Sequence, residues 1–162
     1  MKAKTVEESM ASMGSLMHPG QGNPAGNIHG GEIIKLMDNT AGIVAYRHAR
    51  TNVVTARVDQ IEFLLPVHIG DILTCNAKLT FISKQSMEIM VTALVEELVI
   101  EPKVQVALTA LFTMVALDED GNPTEVPPLE LKTEEEKRLF EEGQKRYLTY
   151  KAMREERKSK EK

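Results

Sequence analysis

The chain has 162 residues, 42% of them hydrophobic and 27% charged, with a formal net charge of −4 at pH 7. That length suits one domain with an appendage, and the composition is that of an ordinary water-soluble protein. The mild acidity argues against bulk attraction to nucleic acid or anionic lipid, and the single cysteine, Cys75, excludes an intrachain disulfide or a four-thiolate metal site.

Met1 to Ser15 include no apolar run long enough for a signal peptide or a membrane helix, so a cytoplasmic protein without membrane contact is expected. Residues 6–17, with methionines, a leucine and small polar residues, predict a first strand. Residues 18–27 hold Pro19, Gly20, Gly22, Pro24 and Gly26, and so many breakers predict a shaped loop. Gly30–Ala49 reads as one helix. Ile33, Ile34, Leu36, Met37, Ala41, Val44 and Ala45 spread its apolar surface more than halfway round, which predicts a helix enclosed on several sides.

From residue 52 to 117 the texture is that of strands. Residues 53–67, 71–82, 86–99 and 103–117 are rich in Val, Ile, Thr, Leu and Phe. Breaks fall at Pro66 with Gly70, at Ser83-Lys84-Gln85, around Glu101-Pro102 and at residues 118–123. Short connections favour antiparallel neighbours. Cys75 lies among Leu73, Thr74, Asn76 and Ala77 and reads as a small buried core side chain. After Pro127-Pro128, Thr133-Glu134-Glu135-Glu136 matches a capping box and opens a second helix, with acids at its start and Arg154, Arg157, Lys158, Lys160 and Lys162 at its end. Its apolar stripe of Leu139, Phe140, Tyr147 and Tyr150 suits packing on a sheet edge or a neighbouring subunit; its basic end reads as a solvated terminus. One long helix followed by four antiparallel strands predicts an α+β protein whose sheet wraps a central helix, with an extra C-terminal helix. The division expected is a core over residues 1–126 and a charged helical extension over 127–162.

Three pieces carry a resemblance. The first is Asn23-Pro24-Ala25-Gly26-Asn27-Ile28-His29-Gly30-Gly31 followed by Glu32-Ile33-Ile34-Lys35-Leu36-Met37-Asp38. The second runs from Val53-Val54-Thr55-Ala56-Arg57 through Pro66 to Gly70-Asp71, and the third is Ser83-Lys84-Gln85-Ser86-Met87-Glu88-Ile89. Together they resemble the cytosolic acyl-CoA hydrolase family, to which the YciA-type bacterial thioesterases belong. The resemblance implies a hotdog fold, hydrolysis of acyl-CoA to free acid and CoA, and active sites shared between paired protomers. It covers residues 10–117 and leaves the C-terminal helix without functional evidence.

Asn23 and Asp38 match the family's loop asparagine and helix acid. Thioester hydrolysis needs a base for the attacking water and donors for the developing oxyanion. Asp38 is the candidate base. Gly31, at the helix entrance, is the candidate oxyanion donor through its backbone N–H. Asn23 could orient the water or donate to the carbonyl, since an amide does either. Asn27 reads as a helix-start cap and His29 as a loop residue. Thr40 and Asn39 are conceivable supports for Asp38. For the phosphates of CoA the resemblance offers Arg57 and the turn residues Ser83, Lys84 and Ser86; Ile34, Met37 and Phe63 are candidates for an acyl slot. Gly31 and Asp38 are seven residues apart, roughly 10 Å along one helix. One carbonyl cannot reach both, so two helices antiparallel across a two-fold axis are required.

The expected enzyme is a thioesterase without metal or redox cofactor, acting as a dimer or an oligomer of dimers. The four histidines show no metal-ligand spacing. The alternatives are a hotdog dehydratase or hydratase, and a non-catalytic acyl-CoA-binding regulator. The first typically carries a catalytic histidine with an acid, the second a DNA-binding segment, and neither feature is present in the sequence.

Overall fold

Helix α1 (Gly30–Ala49) forms over the span the apolar spacing predicts. Ile33, Met37, Ala41, Val44 and Ala45 recur every three or four residues and are fully or almost fully buried. The helix ends at Arg50, whose left-handed backbone (φ 57°) lets its N–H bond to the Tyr46 carbonyl. The sheet wraps α1 as expected, and the helix keeps one open side, where Tyr46 and Lys35 lie exposed and Ile34 and Leu36 half-buried. This computed structural model describes residues 1–100 and 102–160; the break expected at Glu101 and the terminal Lys162 lie outside them.

The buried side packs on five strands: β2 (Ala11–Leu16), β3 (Asn52–Phe63), β4 (Ile72–Ile82), β5 (Ser86–Glu97) and β6 (Lys103–Leu117), with β1 (Lys4–Thr5) lying outside this sheet. Their spatial order is β2-β4-β5-β6-β3 and every pairing is antiparallel. Alternation sends Leu73, Cys75 and Leu79 of β4, Ile89 and Val91 of β5, and Phe112 of β6 into the core under α1. Cys75 sits there fully buried, and burial pushes its thiol up to about 12, so it is an inert core residue. No helix among the described residues is long and apolar enough to cross a membrane.

Two bulges decide which face later residues take. The register jumps from Leu79↔Ile89 to Phe81↔Glu88, so Phe81 shares the outer face with Glu88 instead of joining Leu79 inside. On β3 it jumps from Thr55↔Met114 to Arg57↔Thr113; Thr55 therefore faces α1 and Arg57 faces outward. A strand expected as far as Val67 stops at Phe63, just short of Pro66, which has no N–H for a ladder. The first strand is likewise shorter than expected. Residues 6–10 form a turn in which the N–H groups of Ser9 and Met10 both bond to the Val6 carbonyl, and pairing on β4 begins only at Ala11.

Beyond Pro127, β7 (Leu129–Glu130) pairs in parallel with β1, a ladder two residues long that the sequence pattern does not reveal. Helix α2 (Glu134–Lys160) then crosses the outer face of the sheet over β4. Thr133 and Glu136 cap it as expected: Glu136 N–H donates to the Thr133 hydroxyl and Thr133 N–H to the Glu136 carboxylate. Phe81 meets Phe140 and Tyr147 at ring separations of 4.9 and 5.5 Å. Arg146 makes a two-pronged pair with the buried Glu88 at 2.8 and 2.9 Å. At Gly143 the helix touches the sheet: an added Cβ would lie 2.4 Å from the Phe81 Cβ, so any larger residue there overpacks, at about 1–3 kcal/mol.

His48, at the last turn of α1, is fully buried and ties three segments together. Its Nε2 lies 2.8 Å from the Pro127 carbonyl, which can only accept, so Nε2 carries the proton; Nδ1 then accepts from the Ser9 hydroxyl at 3.3 Å. Burial holds the imidazole below its ordinary pKa of 6.5, opposed by the Pro127 bond and assisted by Lys4. The unfolded chain therefore takes up a proton that the folded one refuses. Stability is fully present above pH 6.5 and declines as pH falls from there towards the lower folded value. Thermal melts between pH 7.5 and 5.5 should show this decline, and His48→Gln, which keeps an N–H for Pro127, should flatten it.

Candidate active site

The loop before α1 is built around Asn23. Its side-chain oxygen accepts the N–H groups of Ala25 and Asn27 at 3.0 and 3.1 Å, and its own N–H bonds to the Asn27 carbonyl at 2.7 Å. With Oδ1 occupied, what Asn23 offers a ligand is its NH2 group, for which no acceptor lies within reach among the described residues. Either role left open by the sequence, towards the water or towards the carbonyl, would then fall to this donor. Asn27 is held in this turn and does not cap the helix. His29 occupies the N-cap position, makes no side-chain capping bond and is exposed.

An uncapped start leaves donors free. Among the described residues neither Gly30 nor Gly31 N–H has an acceptor, and both lie at the positive end of the α1 dipole. The two glycines serve different needs. A Cβ on Gly30 would fall 2.8 Å from Phe63 Cζ, whereas one on Gly31 would meet nothing within 4 Å. Packing against Phe63 requires a glycine at 30, while Gly31 has open space around it, and both keep an unpartnered N–H among the described residues. Asn23, Gly30, Ile33 and Phe63 to Val67 line a groove of about 430 Å³.

Two turns along the same helix, Asp38 lies half-buried at the edge of a second groove of about 610 Å³, together with Gly42, Tyr46, Arg50, Val53 and Thr55. The Thr55 hydroxyl donates to Asp38 Oδ1 at 2.6 Å, and Oδ2 has no partner among the described residues. Thr55 is a functional candidate that sequence reasoning missed. Thr40, weighed there as a support, bonds back to the Leu36 carbonyl at 2.7 Å inside the core, and Asn39 is exposed. The β3 bulge is what turns Thr55 towards α1, and a bulge leaves little trace in sequence. No histidine lines the Asp38 groove; His68 sits in a separate turn, its N–H bonded to Asp71 at 2.8 Å.

Strand β3 returns alongside α1, with Thr55 beside Asp38 at one end and Phe63 over Gly30 at the other. It is also the last strand of the sheet, paired only with β6, so its outer row of backbone groups is open. Val54, Ile61 and Phe63 on it are exposed, Phe63 by 50%. Of the residues expected to line an acyl slot, Phe63 lines the groove at the helix entrance, Ile34 is half-buried and lines neither groove, and Met37 is fully buried in the core.

The candidate phosphate-binding residues divide. Ser83 and Ser86 close the β4–β5 turn with their hydroxyls 2.7 Å apart. Arg57 bonds through Nε to Asp59 at 2.6 Å and through Nη2 to Thr113 at 3.3 Å, and its guanidinium lies 3.4 Å from the centre of the Tyr150 ring. These three residues line one groove of about 350 Å³ on the outer face, with Tyr147, Lys151 and Arg154 of α2. Lys84 points to the other side and pairs with Glu125 at 2.9 Å.

Residues 25–100 match the profile of the thioesterase superfamily. The chain is 44% identical over 151 residues to the cytosolic acyl coenzyme A thioester hydrolase of Rattus norvegicus, a match covering 93% of this chain and 40% of that protein. It thus spans about two-fifths of that relative's length. The acyl-CoA hydrolase of Staphylococcus aureus, solved with butyryl coenzyme A, coenzyme A and coenzyme A disulfide, superposes with a TM-score of 0.85 at 32% identity, over 97% of this chain and 95% of that one. The staphylococcal protein has also been solved with an aspartate, an asparagine and a threonine singly replaced by alanine. A hexameric thioesterase from Yersinia pestis superposes with a TM-score of 0.67 at 34% identity, over 71% of this chain and 93% of that one.

Proposed function

This chain belongs to the acyl-CoA hydrolase family of hotdog thioesterases, and on that footing we propose that it hydrolyses acyl-CoA to a carboxylic acid and CoA in a site completed by a second protomer. Asp38 Oδ2 takes a proton from water as the water oxygen attacks the thioester carbon. The carbonyl oxygen gains the charge and is held by the Gly31 N–H at the helix entrance and the Asn23 NH2 group. As the tetrahedral centre collapses, the C–S bond breaks and the CoA sulfur leaves, receiving the proton Asp38 had taken. None of these steps calls for a metal or a redox cofactor.

The observation that carries this reading is the Thr55–Asp38 hydrogen bond at 2.6 Å beside an open groove. It fixes one carboxylate oxygen and leaves the other for water. Spacing supports it as well. In the staphylococcal protein the replaced asparagine and aspartate are 15 residues apart, and the replaced aspartate and threonine 17 apart. Asn23, Asp38 and Thr55 have the same two spacings.

The second protomer follows from distance. Gly31 and Asp38 stand roughly 10 Å apart on one helix, and Gly30, beside Gly31, lines a different groove from Asp38. A copy paired antiparallel along the open edge of β3 would bring its Gly30 and Phe63 end to this protomer's Thr55 and Asp38 end, giving two equivalent sites. Further association of such dimers accords with the hexameric Yersinia protein, and a cytoplasmic setting with the name of the rat relative. Thiol release, followed colorimetrically over short, medium and long acyl-CoAs, tests the reaction. Turnover is expected on at least one chain length with stoichiometric free acid; no release from any of them would overturn the proposal.

A further inference from the structure

The C-terminal helix brings basic side chains to the turn that carries Ser83 and Ser86. Tyr147, Lys151, Arg154 and Lys158 recur at intervals of four, three and four, one stripe on α2, and all four line the outer groove. The stripe is aimed by the docking of the helix's first half through Phe140, Gly143, Arg146 and Tyr147. Its basic end, residues 151–160, is exposed as expected, and the helix carries it past the turn.

The charge pattern of this stripe differs from that of the rest of α2. Elsewhere four of its six bases find acids, Lys137 with Glu134, Arg138 with Glu142, Arg146 with Glu88 and Lys160 with Glu156, while Lys145 and Arg157 have none among the described residues. Lys151, Arg154 and Lys158 have no carboxylate within ion-pair distance among the described residues. The groove they line also holds Arg57, the Ser83, Ser86 and Thr113 hydroxyls, and a single acid, Glu155. Arg57 has its own acid, Asp59. Three cations without an ion-pair partner among the described residues, facing a cluster of hydroxyls, suit a ligand with several phosphate charges.

We propose that Lys151, Arg154 and Lys158 of α2 form a phosphate cradle for the phosphorylated adenosine end of the acyl-CoA substrate, completing the site begun by Arg57, Ser83 and Ser86. This rests on the acyl-CoA reading above and adds to it a specificity element outside the thioesterase core. The Arg57 guanidinium, stacked on Tyr150, couples α2 to β3, the strand that also carries Thr55. Cradle and catalytic acid thus sit on opposite faces of one strand.

The test compares substrates with and without the nucleotide. In the triple variant Lys151→Ala, Arg154→Ala, Lys158→Ala, KM for butyryl-CoA should rise tenfold or more with kcat little changed. Butyryl-N-acetylcysteamine, which has the thioester but no nucleotide, should be hydrolysed by variant and parent alike. Adenosine 3′,5′-bisphosphate should inhibit the parent competitively and the variant much less. An unchanged KM, an equal loss on both substrates, or nucleotide binding that does not compete with acyl-CoA would each overturn the cradle. Calorimetric binding of CoA gives the same comparison without turnover, expected as a tenfold or larger rise in Kd. A protein that binds CoA through the cradle yet hydrolyses nothing would refute the proposed reaction and not this inference.

Discussion

Replacing Asp38 with alanine should lower kcat for acyl-CoA hydrolysis by about a hundredfold or more, the usual contribution of a general base, with KM and melting temperature little changed. The expectation rests on how Asp38 is placed. It is half-buried beside an open groove, bonded only to Thr55, and shares no ion pair with another described residue. Its removal therefore leaves no buried charge unpaired, and the usual route from a lost carboxylate to unfolding is closed. Thr55→Val, which keeps the shape and removes the hydroxyl, should cost less in kcat because the carboxylate remains but is no longer held. Steady-state kinetics with circular dichroism on both variants checks this. A fully active Asp38→Ala protein would remove Asp38 from the mechanism.

The helix and the order of strands were legible because burial writes itself into spacing. Ile33, Met37, Ala41 and Val44 fall on a helical period, and Leu73, Cys75, Leu79, Ile89 and Val91 on an alternating one. Asn23 and Asp38 follow from the resemblance and Gly31 from its place at the helix entrance, whereas the different surroundings of the two glycines show only in the structure: Phe63 crowds Gly30 and leaves Gly31 open. Thr55 escaped because its orientation depends on a bulge one residue away. The same cause hid Phe81, which a continuous strand would have pointed into the core and which instead anchors α2. The alignment of the basic stripe of α2 with the Ser83–Ser86 turn was out of reach for a related reason. It depends on where a 27-residue helix docks, and that is set by Gly143 and by the Glu88–Arg146 pair far along the chain.

The central claim is that no single protomer holds a whole active site. Asn23 and Gly30, the neighbour of Gly31, line one groove and Asp38 and Thr55 another, and on the proposal above a two-fold partner brings the halves to one carbonyl. Each single variant, Asn23→Ala or Asp38→Ala, should lose most activity as a homo-oligomer. In dimers assembled from one copy of each, one site regains Asn23 from one protomer and Asp38 from the other, while the second site lacks both. Differently tagged variants, co-expressed and purified through both tags, give these mixed dimers directly. Their turnover should recover to about half of the parent value per dimer, one working site out of two; mixed dimers no more active than either variant alone would place the whole reaction within a single chain and contradict the account.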